Sequence, residues 1–150
     1  MNIFAELRAG ITTHTASETQ ALATQLAKAL SPDATLALHG DLGVGKTTFV
    51  QGLAKGFGVT DGVTSPTFNI FTLHRGTNRT LVHLDAYRLE NDRQIDSLML
   101  EDFLISPYCL AVEWPERIAG WLPSNTLHLT LRIIDEKHHH VQLATAPSVA

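Results

Sequence analysis

The residues with the clearest chemical meaning lie in one run, Gly40-Asp41-Leu42-Gly43-Val44-Gly45-Lys46-Thr47-Thr48. It fits G-x-x-x-x-G-K-[ST], with Gly40, Gly45, Lys46 and Thr47 at the fixed positions. Glycine permits positive φ and lets main chain approach a ligand closely. Successive N–H groups in such a loop point inward at the positive end of the following helix and cradle phosphate. In this pattern the lysine reaches the β- and γ-phosphates and the threonine hydroxyl sits on Mg²⁺. The run from Asp41 to Thr48 is therefore the candidate cofactor-binding loop.

A phosphate loop alone holds a nucleotide. Hydrolysis also needs a metal clamp and a group that orients the attacking water. Two carboxylates stand where such groups belong: Asp85 ends the run Leu81-Val82-His83-Leu84, and Glu113 ends an apolar run at 108–112. Acids at strand ends in an α/β sheet face the crevice where ligands bind, although each alone also suits a helix cap or a solvated rim. Ser65-Pro66-Thr67 falls where a γ-phosphate-sensing segment would sit, and is equally ordinary loop chemistry. Trp114, next to Glu113, could stack on a base, pack on a partner or close the core edge. Arg88 could meet a phosphate or a partner, or form a surface ion pair, the commoner case. His138-His139-His140 suggests a metal tract, but adjacent strand side chains point to opposite faces, so three in a row do not readily share an ion.

The elements that position these groups follow from periodicity. Residues 35–39 read as a short buried strand leading into the loop, and 46–57 as the helix leaving it. Phe49, Val50, Leu53 and Phe57 form that helix's buried stripe and Gly58 its C-cap. Upstream, residues 1–16 hold a short edge strand. Ser17 and Gln20 have the spacing of a capping box for a helix with Ala21, Leu22, Leu26, Ala29 and Leu30 on its inner face, ended by Ser31-Pro32-Asp33. Strands at 67–74 and 80–85 are joined by a loop short enough for a hairpin, so the sheet is mixed. Asp92 can cap a helix with Ile95, Leu98, Met99 and Phe103 on one face. Residues 108–112 read as a central strand, and Pro115 opens a short helix reaching about 121. In 126–134, Leu127, Leu129, Leu131 and Ile133 alternate onto one face. A turn at Asp135-Glu136-Lys137 leads to a last strand at 139–144 and a frayed tail at 145–150.

Composition sets the bounds. The chain has 150 residues, is 44% hydrophobic and carries a formal charge of −4, which suits one globular domain. Without a basic run, binding of nucleic acid by broad phosphate neutralisation is not expected. The single cysteine, Cys109, in an apolar run, is expected to be buried and inert. Neither a secretory signal nor a membrane-length apolar run is visible, so a soluble protein of a reducing compartment is expected.

Taken in order, the phosphate loop through Phe49, Ser65-Pro66-Thr67-Phe68, His83-Leu84-Asp85-Ala86-Tyr87-Arg88-Leu89 and Val112-Glu113-Trp114-Pro115-Glu116 resemble the bacterial TsaE (formerly YjeE) family. The resemblance runs from about residue 15 to about 131. It implies a three-layer α/β P-loop NTPase-like domain with a mixed sheet. It further implies a cytoplasmic protein that binds ATP and Mg²⁺ and hydrolyses ATP slowly, mostly in complex with TsaB and TsaD during threonylcarbamoyladenosine modification of tRNA, with any contact to tRNA indirect. By the same resemblance Thr47 and Glu113 are the Mg²⁺ ligands, Asp85 is the Walker-B-type carboxylate and Lys46 the catalytic cation. Ser65 and Thr67 belong to the switch segment, Trp114 is a functional aromatic, and Thr13 lies near the adenine. The family often has an arginine in the turn before the last strand, where this chain has Lys137-His138-His139-His140. A small-molecule kinase on the same loop would need an arginine-bearing lid, and a GTPase an Asn-Lys-x-Asp; neither is visible. A non-catalytic ATP-sensing subunit would share every motif.

Overall fold

The computed structural model describes residues 2–41, 44–63 and 70–144. Leu42, Gly43, Ser65, Thr67, Asn69 and the tail 145–150 lie outside the described residues.

A first helix, α1 (Ile3–Ala9), precedes the edge strand β1 (Ile11–Thr13). The sequence signal for α1 is short: Asn2 caps it by accepting from the Ala5 N–H, and only Leu7 is fully buried. Helix α2 spans Ala16–Ala29. Its cap is Thr15, not Ser17. The Thr15 hydroxyl accepts from the Glu18 N–H at 3.0 Å, and the Glu18 carboxylate accepts from the His14 N–H at 3.1 Å. Both positions satisfy a capping-box pattern; with Thr15 as cap the helix starts two residues earlier, and Ala23 and Ala27 of its body are buried. Ala21 and Ala29, expected inside, are exposed, whereas Leu22, Leu26 and Leu30 are buried as expected.

Strand β2 (Asp33–His39) leads through the glycine-rich run into α3 (Lys46–Gly56). Phe49, Val50, Leu53 and Phe57 are buried. Gly58, at φ +80°, closes α3: its N–H meets the Lys55 carbonyl at 3.2 Å and the Val59 N–H meets that of Ala54 at 3.0 Å. The hairpin is present as antiparallel β3 (Phe71–Arg75) and β4 (Thr80–Asp85). The single helix expected after it is broken. Helix α4 covers only Asp92–Ser97, with Asn91 as cap, and Met99 at φ +54° turns the chain into a 3-10 segment, Leu100–Phe103. Ile95 and Leu100 are buried there, whereas Met99 and Phe103 face solvent. Strands β5 (Tyr108–Glu113), β6 (Leu127–Asp135) and β7 (His138–Leu143) complete the sheet, with a 3-10 turn, Pro115–Ile118, after β5. On β6 the alternation holds for Leu129 and Leu131, but Ile133 runs out past the core and is exposed.

The seven strands order as β1-β7-β6-β2-β5-β4-β3, with β6, β2, β5 and β4 parallel and both margins antiparallel. One face packs Leu36, Leu38, Leu81, Cys109 and Leu129 against α1, α2 and α3. The other packs Val82, Leu84, Leu110 and Val112 against Ile95, Leu100 and Ile118. This is the three-layer α/β arrangement with a mixed sheet. Burial pushes the Cys109 thiol up to about 12, so it is inert at neutral pH. Among the described residues no helix is long and apolar enough to cross a membrane.

Helix α3 lies close against α2 because it carries glycine at the contact. A Cβ at Gly52 would press on the Gln20 carbonyl and lie 2.7 Å from the Ala23 Cβ. The Thr24 hydroxyl donates to the Gly52 carbonyl at 2.8 Å. Alanine is the better helix former by about 1 kcal/mol, yet overpacking costs about 1–3 kcal/mol. Gly52→Ala is therefore expected to lower the denaturation midpoint; a raised midpoint would show that the two helices are free to separate.

Candidate nucleotide site

Parallel pairing places the C-terminal ends of β2, β5 and β4 side by side, with Leu38 opposite Glu113 and Glu113 opposite Asp85. Side chains in register lie on one face, here the face that carries α3. The phosphate-loop helix and the two strand-end acids therefore share one corner of the sheet.

Gly45, at φ +98° and ψ +20°, stands at the N-cap of α3 without a side-chain cap. The first helical bond runs from the Phe49 N–H to the Gly45 carbonyl at 2.9 Å. The N–H groups of Lys46, Thr47 and Thr48 thus have no acceptor within the helix. Gly40, at φ +145°, has no room for a Cβ between the Leu131 carbonyl and the Val44 side chain. Val44 is buried, Asp41 exposed, and Thr47 and Thr48 half-buried.

Lys46 is 4% exposed. Its ammonium donates to the Gly40 carbonyl at 2.7 Å and lies 4.2 Å from the centroid of the Trp114 ring. A carbonyl dipole and a π-face thus hold a charge that burial would otherwise make costly. Trp114 reaches this place from a left-handed backbone, φ +56° and ψ +49°, uncommon for a bulky residue. Its ring packs on Tyr87 at 5.1 Å, with the Arg117 guanidinium 5.6 Å from the Tyr87 ring. Trp114 packs on the edge of the core, one of the three sequence readings, and adds a contact that none of them named, with the lysine. Arg88 is exposed.

Glu113 is 5% exposed and its Oε2 lies 2.5 Å from the Nε2 of His83, which is wholly buried. Asp85 is half-buried, and its Oδ1 accepts from the Tyr87 N–H at 2.9 Å, pinning the turn that follows β4. Ile70, the first described residue after 64–69, accepts from the Asp85 N–H at 2.8 Å, and Gln51 of α3 donates to the Val63 carbonyl at 2.9 Å. Both flanks of the segment containing Ser65 and Thr67 are thus tied to the site elements, whereas Leu42, Gly43, Ser65 and Thr67 themselves lie outside the described residues. Thr13, expected near the adenine, is 3% exposed, with its hydroxyl 2.6 Å from that of Thr19; its side chain serves the β1–α2 junction.

Two features escaped the sequence reading. His83 was visible only as a member of a motif. The histidine run also diverges: His138 pairs with Asp135 at 2.5 Å, His140 lies 3.3 Å from Arg132, and His139 turns to the phosphate loop, its Nδ1 3.2 Å from the Val44 carbonyl. The contact with the loop thus comes from the second residue of β7 itself, through an imidazole.

These elements together define a P-loop NTPase-like α/β domain. The family model for threonylcarbamoyl adenosine biosynthesis protein TsaE matches residues 13–142. The tRNA threonylcarbamoyladenosine biosynthesis protein TsaE of Treponema pallidum is 32% identical over 129 residues, covering 86% of this chain and 95% of that protein. The Bacillus subtilis protein of the same name is 37% identical over 115 residues, 77% and 72% of the two chains. The crystal structure of Bacillus subtilis YdiB superposes with a TM-score of 0.76 at 31% identity, covering 91% of this chain and 84% of that one. The chain belongs to the TsaE family of threonylcarbamoyl adenosine biosynthesis proteins.

On the other side of β2, His39 Nε2 lies 2.9 Å from His128 Nδ1. Burial first, then the His128 charge, lowers the His39 pKa from 6.5, with Lys46 adding to the shift and Glu116 opposing it. The unfolded chain therefore takes up a proton that the folded one resists, and stability falls as pH drops below about 6.5. Thermal melts between pH 7.5 and 5.5 are expected to show this loss, reduced in His39→Asn; an equal loss in both would assign it to other groups.

Proposed function

We propose that this protein binds ATP with Mg²⁺ and hydrolyses it slowly, as a cytoplasmic accessory subunit acting with TsaB and TsaD in threonylcarbamoyladenosine modification of tRNA. The observation that carries the reading is the convergence of a buried lysine and a buried glutamate on an uncapped helix start. Two buried charges of opposite sign, set beside free N–H groups, suit a phosphate and its metal.

The residues fit magnesium. Hard oxygen donors are what the ion takes, and it commonly uses one or two protein ligands beside phosphate and water. The Thr47 hydroxyl and the Glu113 carboxylate supply two; Oε2 of Glu113 is held by His83, and Oε1 has no hydrogen bond within the described residues. When bound, the metal neutralises charge developing on the phosphate oxygens. Lys46 keeps one N–H on Gly40 and directs its remaining donors to the β- and γ-phosphates. The N–H groups of Lys46, Thr47 and Thr48 bind phosphate oxygens. Asp85 stands one strand further out than Glu113, as the carboxylate that orients water or joins the metal shell, and Trp114 holds Lys46 in place. The family membership supports the tRNA-modification context, and the flanks of the Ser65–Thr67 segment support its place as a switch.

Phosphate release from ATP and Mg²⁺ is expected to be slow with the protein alone and faster when TsaB and TsaD are added; absence of ATP binding, or transfer of phosphate to a small acceptor, would overturn the reading. Lys46→Ala should weaken ATP binding by roughly 10–100-fold, the worth of charge-assisted hydrogen bonds. Glu113→Ala should keep nucleotide but lose Mg²⁺-dependent hydrolysis, and an unchanged rate would remove Glu113 from the metal site.

A further inference from the structure

The His83–Glu113 pair stands apart from everything the loop motif explains. Both side chains lie on the α3 face of the sheet, on adjacent parallel strands. The in-register neighbour of His83 on β5 is Ala111, and Glu113 is one pleat further toward the site. The contact is therefore a diagonal one, and the small Ala111 side chain leaves space for the imidazole to cross it. The ring is wholly buried, 2.5 Å from Oε2. A carboxylate accepts and does not donate, so the ring donates through Nε2–H. Nδ1 is buried and has no hydrogen-bond partner among the described residues; it is then a lone pair and not an orphaned donor.

A histidine is a poor choice for filling this position. Its strand neighbours inside the core on the same face are Leu81 and Ala111, and leucine would occupy the space without burying a polar ring. What imidazole adds is one directed N–H. A glutamate has three side-chain torsions, and an unrestrained carboxylate at the end of a strand would sample several positions. Anchoring Oε2 from below removes that freedom and leaves Oε1 for the site.

We propose that His83 is a positioning residue: its Nε2–H fixes the Glu113 carboxylate so that the other oxygen is presented to the metal beside the phosphate loop. This rests on the function proposed above. It assigns His83 no contact with nucleotide or metal, and it separates the two acids: Glu113 is anchored through a buried ring, Asp85 through the main chain of its own turn.

The test is the gain in nucleotide affinity on adding Mg²⁺, read by calorimetric titration of ADP and ATP in EDTA and then in excess Mg²⁺. Wild type is compared with His83→Gln, whose amide can place an N–H near the Nε2 position, and with His83→Leu, which cannot. Circular dichroism melts accompany each titration. Affinity in EDTA is expected to stay within about threefold in all three proteins, because the loop and Lys46 are untouched. The Mg²⁺-dependent gain should persist in His83→Gln and fall by roughly tenfold or more in His83→Leu, the usual effect of losing a partner that orients a metal ligand. If His83→Leu does not fold, His83→Asn replaces it, since its amide ends at the Nδ1 position, too short for Glu113. A folded leucine or asparagine variant with the full gain overturns the proposal. So does an equal loss in the glutamine and leucine variants, which would assign the effect to ring shape. If wild type binds nucleotide without any Mg²⁺ gain, the metal site itself is overturned; if it binds no nucleotide, the function reading fails first.

Discussion

A buried ammonium sets the terms for this corner of the molecule. Lys46 opens α3 inside the protein, and its charge must be met there. The Gly40 carbonyl meets it from one side and the Trp114 ring from another. Each demands something of the chain. Gly40 must hold a backbone angle and a closeness to Leu131 that exclude a side chain, and Trp114 must take a left-handed conformation immediately after β5. Parallel pairing of β2 with β5 is what brings those two segments together. The loop, the strand order and the strained tryptophan are thus parts of one solution to one electrostatic problem.

The acids at the strand ends are solved differently. Asp85 turns one oxygen back to the Tyr87 N–H, a local bond that shapes the turn after β4. Glu113 is too deep for that and depends on another strand, through His83. Local bonds form with the turn, whereas the Glu113 contact requires β4 and β5 to be paired in register. The glutamate is therefore in place only when the sheet is complete, and the aspartate's own bond asks only for its turn.

Sequence periodicity reported the sheet well. The buried strands at Leu36–Leu38 and Leu110–Val112, the hairpin and the alternating Leu129 and Leu131 follow from side-chain patterns that need no knowledge of distant neighbours. The glycine-bounded loop was equally legible, because its residues are chosen for backbone geometry. What could not be read depended on non-local choice. Thr15 and Ser17 are both acceptable caps, and the pattern does not choose between them; that Ala23 and Ala27 lie inside is set by their close packing on Gly52 and Gly56 of α3. The break at Met99 occurs where the pattern continues, since a left-handed residue in place of a helical one leaves little trace in composition. His83 gave little signal as a single histidine in an apolar strand. The usable clue is its spacing: two residues before a strand-end acid is the same face, one pleat deeper.

Helices α2 and α3 both start at the edge where β1 and β2 end, so they run side by side in the same direction. Their macrodipoles point the same way, and their positive ends lie together. The two ends are finished differently. In α2, Thr15 caps and Glu18 supplies a negative charge in the first turn. In α3 there is no side-chain cap and no acid in the first turn, and a lysine sits at the first helical position, the sign the dipole disfavours. A chain of net charge −4 thus keeps one small cationic pole, maintained against its own helix preference. An anion bound there, as proposed, would return the free energy forgone, so occupancy and stability would be coupled at this pole. The folding equilibrium would then become a gauge of that anion's concentration.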